Sequence, residues 1–368
     1  MAAFRPALMA AMVFFVIHGL IMWWHQEPIK EFEYLAPFLL LPLVGWGLFY
    51  RPIAAHWIWA GLCLVAITAG GIPLLQMMGA AGPTRFAGIM TNPIAYGNLC
   101  VLVATACLVG LSTYASSAHK LIQLGLALGL ALGLAGSFLS GSKGGWVSIA
   151  LTWLVLLIWS VRQMSRSRAL VLIGLLALTF SVGLLAPKSP MSDRIHSAAL
   201  AVKALVTHLI TNEPDTVMPT DGSVGPRAAM WKHALSGPAF ENVWIGIART
   251  PLRAAQKEAA QNGSAPGILG DWAHLHNEPL DIFVTKGLIG LAALLAMWWL
   301  WARFFYLQIQ GQTDPSKKGL AMTGLLVLVQ LAEFSLTNPQ LKHLSMALFS
   351  GFLMVAIAAC LTSKGNER

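Results

Sequence analysis

The sequence predicts an all-α polytopic membrane protein with about ten transmembrane helices, within a range of roughly nine to twelve. Three observations carry that prediction. Hydrophobic side chains make up 57% of the 368 residues and charged ones only 11%, against roughly 25% charged in soluble domains. Mean hydropathy is +0.67. Apolar runs also recur at about 20 residues, the length that crosses a bilayer core of about 30 Å.

The runs fall at about 7–24, 35–50, 57–78, 93–115, 120–139, 145–161, 168–187, 280–302, 319–338 and 343–362. The first is too long for a removable signal peptide and lacks a small-residue cleavage pattern, so it is expected to stay as a membrane helix. The third carries Gly70-Gly71 and Pro73 near its end, which predicts a broken or re-entrant segment. Lys and Arg in the short loops set the orientation. With both termini cytoplasmic, the inner segments hold Arg5, Arg51, Lys120, Arg162, Arg166, Arg168, Arg303, Lys317, Lys318, Lys364 and Arg368 against Asp314 and Glu367. That side accounts for the whole net charge of +9, so the basic pI needs no nucleic-acid partner. Cys63, Cys100, Cys107 and Cys360 lie inside predicted spans without metal-binding spacing, and read as small core hydrophobes.

Three regions result: an N-terminal bundle of about seven spans over 1–187, a large outer loop over 188–275, and a C-terminal bundle of about three spans over 276–368 with a short cytoplasmic tail. The outer loop is too long to be structureless and carries its own helical signals. Ser192-Asp193 can cap a helix with apolar residues at Ile195, Ala199, Val202, Val206 and Leu209. Pro226 suits the first turn of a second helix, placing Arg227 at its start with Met230, Trp231 and Leu235 behind. A third helical stretch, Pro251 to Ala260, meets a stop at Asn262-Gly263.

Chemistry-bearing residues gather on the outer side under this topology. His276 falls just before a span expected to start near Pro279, where an imidazole can stay neutral and accept a proton. Glu278 and Asp281, on the same turn, either orient that ring or simply cap the helix. His274 adds an HxH pair, too little for a zinc site, so no metal is expected. Gly287 and Gly290, three apart within the membrane, predict close helix packing. Arg85 and Lys143 each sit among glycines in short outer loops, where backbone N–H groups and a cation can converge on an anion; the plain alternative is a snorkelling interfacial side chain. Arg85, Lys143, Arg227 and His276 together would suit a diphosphate-bearing substrate. Glu333 lies in the outer third of the ninth span, as a functional acid or as the partner of a neighbouring cation.

Four stretches carry a family resemblance: TNPIAYGN at 91–98, SGSKGGW at 140–146, GPRAAMWKHAL at 225–235 and HNEPLDIFVTKGLIG at 276–290. Together they make the chain resemble the O-antigen ligase and polymerase superfamily of bacterial inner-membrane proteins, whose ligases are GT-C-like glycosyltransferases. The last stretch is the most specific, because the ligases show His, then Asn, Ser or Gln, nine residues and GxxG. The resemblance implies transfer of a whole glycan from undecaprenyl diphosphate to a lipid A-core sugar hydroxyl on the periplasmic side, with no metal, nucleotide or other cofactor. It assigns proton acceptance to His276 and diphosphate binding to Arg227. The second basic position falls on Lys143, where the family favours Arg. Lysine lacks the bidentate guanidinium fork, so Arg85 or Arg194 is a further candidate for the donor site, with Asn277 and Glu333 completing the substrate-binding set. An O-antigen polymerase, using the same chemistry on a carrier-linked acceptor, is the nearest alternative, and a secondary transporter is the alternative of another class.

Overall fold

The structure is a computed structural model describing residues 4–79, 85–90, 92–113, 120–153, isolated positions between 156 and 181, and residues 225–236, 241–262 and 274–362. All regular elements among the described residues are helical: α1 (Arg5–Trp24), a 3-10 segment (Ile29–Leu35), α2 (Ala36–Tyr50), α3 (Ala55–Gly79), α4 (Pro93–Thr113), α5 (Lys120–Ser140), α6 (Lys143–Ser148) running into a π turn (Ile149–Trp153), α7 (Gly225–Ser236), α8 (Arg249–Gln261), α9 (Glu278–Gly311), α10 (Pro315–Ser335) and α11 (Leu344–Thr362). Eight of these segments are long and apolar enough to cross a membrane, making the chain a polytopic membrane protein. They correspond to predicted spans one to five and eight to ten. Predicted span six begins as α6 and the π turn, while most of the rest of it, most of span seven and the helix expected from Ile195 to Leu209 lie outside the described residues.

At the centre stands α4, 89% buried along its apolar window. It packs with α3 and α5 through small residues, the usual way to bring membrane helices together when lipid competes with every apolar contact. A Cβ on Gly133 would stand 3.0 Å from the Cys100 carbonyl oxygen, and one on Gly70 only 1.9 Å from that of Leu132. Gly70→Ala is therefore expected to cost about 1–3 kcal/mol. Gly71→Ala, whose Cβ meets nothing within 4 Å, is expected to stay within about 0.5 kcal/mol; thermal melts of the two detergent-solubilised variants make the comparison.

The break expected in span three does not occur: α3 runs unbroken through Pro73. Proline removes the N–H that would bond the carbonyl four residues earlier, which here is Ala69. That carbonyl instead accepts the Tyr96 hydroxyl at 2.6 Å, so the lost bond is replaced from a neighbouring helix. The 91–98 stretch thereby gains a structural reading. Asn92 Oδ1 accepts from the backbone N–H groups of Ile94 and Ala95 to cap α4, Tyr96 closes the proline gap, and Gly97 lets Ser140 and Ser142 approach where a Cβ would collide with both. Ser142 Oγ then donates to Asn98 Oδ1 at 2.9 Å.

Candidate functional site at the N-terminal mouth of helix α9

Helix α9 begins where the sequence places it. Asn277 is its N-cap, with Oδ1 accepting from Leu280 N–H at 3.0 Å, so its side chain is committed to the helix start. The residue before it, His276, has φ 49°, the left-handed region that non-glycine residues adopt at a cost. Neighbours on either side hold that turn. The buried Leu275 donates its N–H to Asp281 Oδ1 at 3.1 Å and accepts Trp231 Nε1–H on its carbonyl at 2.6 Å. Trp231 lies one helical turn beyond Arg227 on α7, so the same turn fixes the helix that carries the arginine.

Around His276 the environment is electropositive. Burial first, then the nearby Arg227 cation, push its imidazole down to about 4, which leaves it neutral at physiological pH. Burial, then His276, hold His274 down to about 3, and the two rings meet edge to face with centroids 4.2 Å apart. Burial also lowers Arg227. Asn338, in the connection between α10 and α11, lies beside the His276 side chain and donates to His343 Nε2 at 2.7 Å.

Ten residues into α9 the helix breaks. Gly287 has φ 65° and ψ −166°, a conformation essentially confined to glycine. Its interruption opens the helix to the segment preceding α8. Leu288 and Ile289 donate their N–H groups to the carbonyls of Val243 and Trp244 at 2.8 and 3.1 Å, and Ile247 N–H donates to Val284 O at 2.9 Å. Non-helical backbone near membrane depth is thus satisfied by other backbone, as a lipid surround requires. The expectation that Gly287 is a helix-packing residue is corrected: a Cβ there would lie 2.3 Å from the Trp244 backbone, against the 241–248 segment docked into the break. Gly290 presents its carbonyl to His18 Nε2, which donates at 3.0 Å.

Beside this mouth lies a buried charge network. Arg249, the first residue of α8, makes two bonds to the Asp281 carboxylate, at 3.2 and 2.5 Å, and pairs with Glu31 at 3.4 Å, while its backbone N–H donates to Glu27 at 2.6 Å. Lys342 Nζ reaches Asp281 Oδ2 at 2.7 Å; burial, then Arg249, lower it from the ordinary lysine value. Lys286 pairs with Glu27 at 3.8 Å. Glu278 accepts from Ser335 Oγ and from the N–H groups of Leu341 and Gln340 at 2.7, 2.9 and 3.2 Å, tying α9 to the Asn338 connection. Both acids expected either to orient the His276 ring or to cap α9 therefore have other bonding partners.

The remaining predicted residues separate into those at the mouth and those elsewhere. Lys143 opens α6, with its side chain outside the described residues; the following Gly144 has Thr337 Oγ1 2.6 Å from where a Cβ would stand. That brings the 140–146 stretch against the residue preceding Asn338. Arg85 Nε donates to the Ser140 carbonyl at 3.0 Å, linking the segment before α4 to the end of α5. Glu333 accepts from Thr152 Oγ1 at 2.5 Å, bracing the π turn. Arg194 lies outside the described residues. Asn338, His343, Lys342 and Arg249 were not singled out in the sequence. A signal existed for the first three, since Asn338-Pro339 through His343 is a polar interruption between two spans, but Arg249 meets Asp281 across 32 residues and no local pattern marks it.

Residues 128–295 match the family model described as O-antigen ligase. Three of the four family-like stretches fall within those limits; 91–98 lies before them. Among curated proteins, an uncharacterized protein of Haemophilus influenzae is 22% identical over 333 residues, spanning 88% of this chain and 78% of that protein.

Proposed function

We propose that this chain, whose residues 128–295 carry an O-antigen ligase family domain, transfers a glycan as one unit from undecaprenyl diphosphate to a lipid A-core sugar hydroxyl at the periplasmic face of the bacterial inner membrane. The observation that carries the reading is a neutral, partly buried imidazole in a braced left-handed turn, with Arg227 close enough to depress its basicity.

His276 takes the proton of the acceptor hydroxyl as its oxygen attacks the anomeric carbon of the donor sugar. The bond from that carbon to the diphosphate oxygen breaks, and the electron pair leaves on undecaprenyl diphosphate. Arg227 stabilises the departing charge, with Lys143 as the second cation. Binding of the anionic donor beside Arg227 offsets the field that lowers the imidazole, so the base strengthens once the substrate is in place. Asn338, beside the imidazole, joins His276 as a site residue. Arg85, engaged with Ser140, supports the Lys143 loop.

The lipopolysaccharide of a strain lacking this protein tests the assignment. Unattached polymer remaining on its carrier, with core free of glycan, is the expected result. Core bearing a single repeat unit would instead make the protein a polymerase, and an unaltered profile would remove both assignments.

A further inference from the structure

Three chain segments converge on one carboxylate at the mouth of α9. Asp281 Oδ1 accepts from Leu275 N–H and from Arg249, while Oδ2 accepts from Arg249 and from Lys342. Leu275 immediately precedes His276. Lys342 belongs to the same connection as Asn338, which lies beside the His276 side chain. Arg249 begins α8 and ties the carboxylate to Glu27, just past α1, and to Glu31 in the 3-10 segment.

We propose that Asp281 is a positioning residue for the transfer reaction, fixing both the backbone turn and the Asn338 connection that aim the His276 imidazole at the acceptor. This rests on the reading of His276 as proton acceptor. A left-handed histidine relaxes unless its surroundings over-determine it. On the upstream side, Leu275 is restrained through its N–H by Asp281, through its carbonyl by Trp231, and through a buried side chain. Only the Asp281 bond comes from a group that also grips the opposite wall of the site through Lys342. A shared carboxylate thus holds His276 and Asn338 in one register. Losing it lets both move by fractions of an ångström, a scale at which reactive geometry loses rate while donor affinity, carried by cations elsewhere, stays put.

Asp281→Asn and Glu31→Gln are to be compared in purified, lipid-reconstituted full-length protein supplied with undecaprenyl diphosphate-linked glycan and lipid A-core. Glu31 pairs with the same Arg249 but does not touch the His276 turn, so it controls for a general loss of the charge network. Asp281→Asn is expected to lower kcat about 10- to 100-fold with donor KM within about threefold, while Glu31→Gln keeps kcat within about twofold. If Asp281→Asn does not yield folded protein, Asp281→Asn/Lys342→Met, which also removes one of the two cations bonded to that carboxylate, is measured in its place against the same criteria. Unchanged kcat, a loss that falls equally on Glu31→Gln, or a rise in KM alone would overturn the proposal. Full activity of His276→Ala would instead overturn the underlying reading, whatever Asp281→Asn does.

Discussion

His276→Ala is expected to reduce glycan transfer by about 10²- to 10⁴-fold, the range carried by a positioned proton acceptor, in a protein that still inserts and melts close to the parent temperature. The side chain is only partly buried, and the turn is held by Leu275 and Asn277 through their own bonds, so its removal leaves the scaffold in place. The pH dependence gives a second readout. The imidazole is held down to about 4 by burial and Arg227, so its proton-accepting form is present above that value and is lost as pH falls through it. The acid limb of kcat/KM, which reports the free enzyme, is therefore expected near pH 4 instead of near 6.5, and absent from the residual rate of the variant. An acid limb that persists unchanged in the alanine variant, or an alanine variant with parental turnover, would remove His276 from the chemistry.

Gly287→Ala is expected to be the most damaging small substitution in α9, costing about 3 kcal/mol or more. Two effects add: a left-handed φ with ψ near −166° is outside the range of alanine, and the new methyl would stand 2.3–2.4 Å from the backbone of Trp244 and Ile245, which cannot rotate away as a side chain can. Restoring a continuous helix would retract the Leu288 and Ile289 amides from their acceptors. Limited proteolysis of the reconstituted protein measures the outcome, with faster cleavage in 241–262 expected relative to the parent. Parental resistance would mean that the docked segment does not depend on the break.

The boundaries of most elements were legible from local chemistry. Pro226 and Asn262 mark where α7 begins and α8 ends, and α9 starts at Glu278, beside the expected Pro279. These signals work because capping and proline geometry are settled within a turn. What escaped depends on partners distant in sequence. A glycine that breaks a helix and one that packs it look identical in an apolar run, and only the arrival of Val243 and Trp244 distinguishes them at Gly287. Pro73 was misread for the same reason, since Tyr96, which repairs the gap, is on another helix. At the site, His276 and Arg227 stood out by residue type and outer-face placement. Asp281 was read within its own turn, as ring orienter or helix cap, whereas its partners Arg249 and Lys342 lie 32 residues before it and 61 after.

The docking of the 241–262 segment has a consequence for biogenesis. Its anchors are Glu27, 222 residues upstream of Arg249, and the α9 amides, still untranslated when the segment emerges from the ribosome. Arg249 therefore waits for Asp281 through the synthesis and insertion of α9, and Asp281 waits in turn for Lys342, beyond α10. Co-translational folding can complete the bundle of α3 to α5 early, but α1 packs on α9 and α2 on α11, so the mouth of α9 closes only when nearly the whole chain has entered the bilayer. The mouth of α9 is thereby the last part of this protein to assemble, after every helix that braces it has been made.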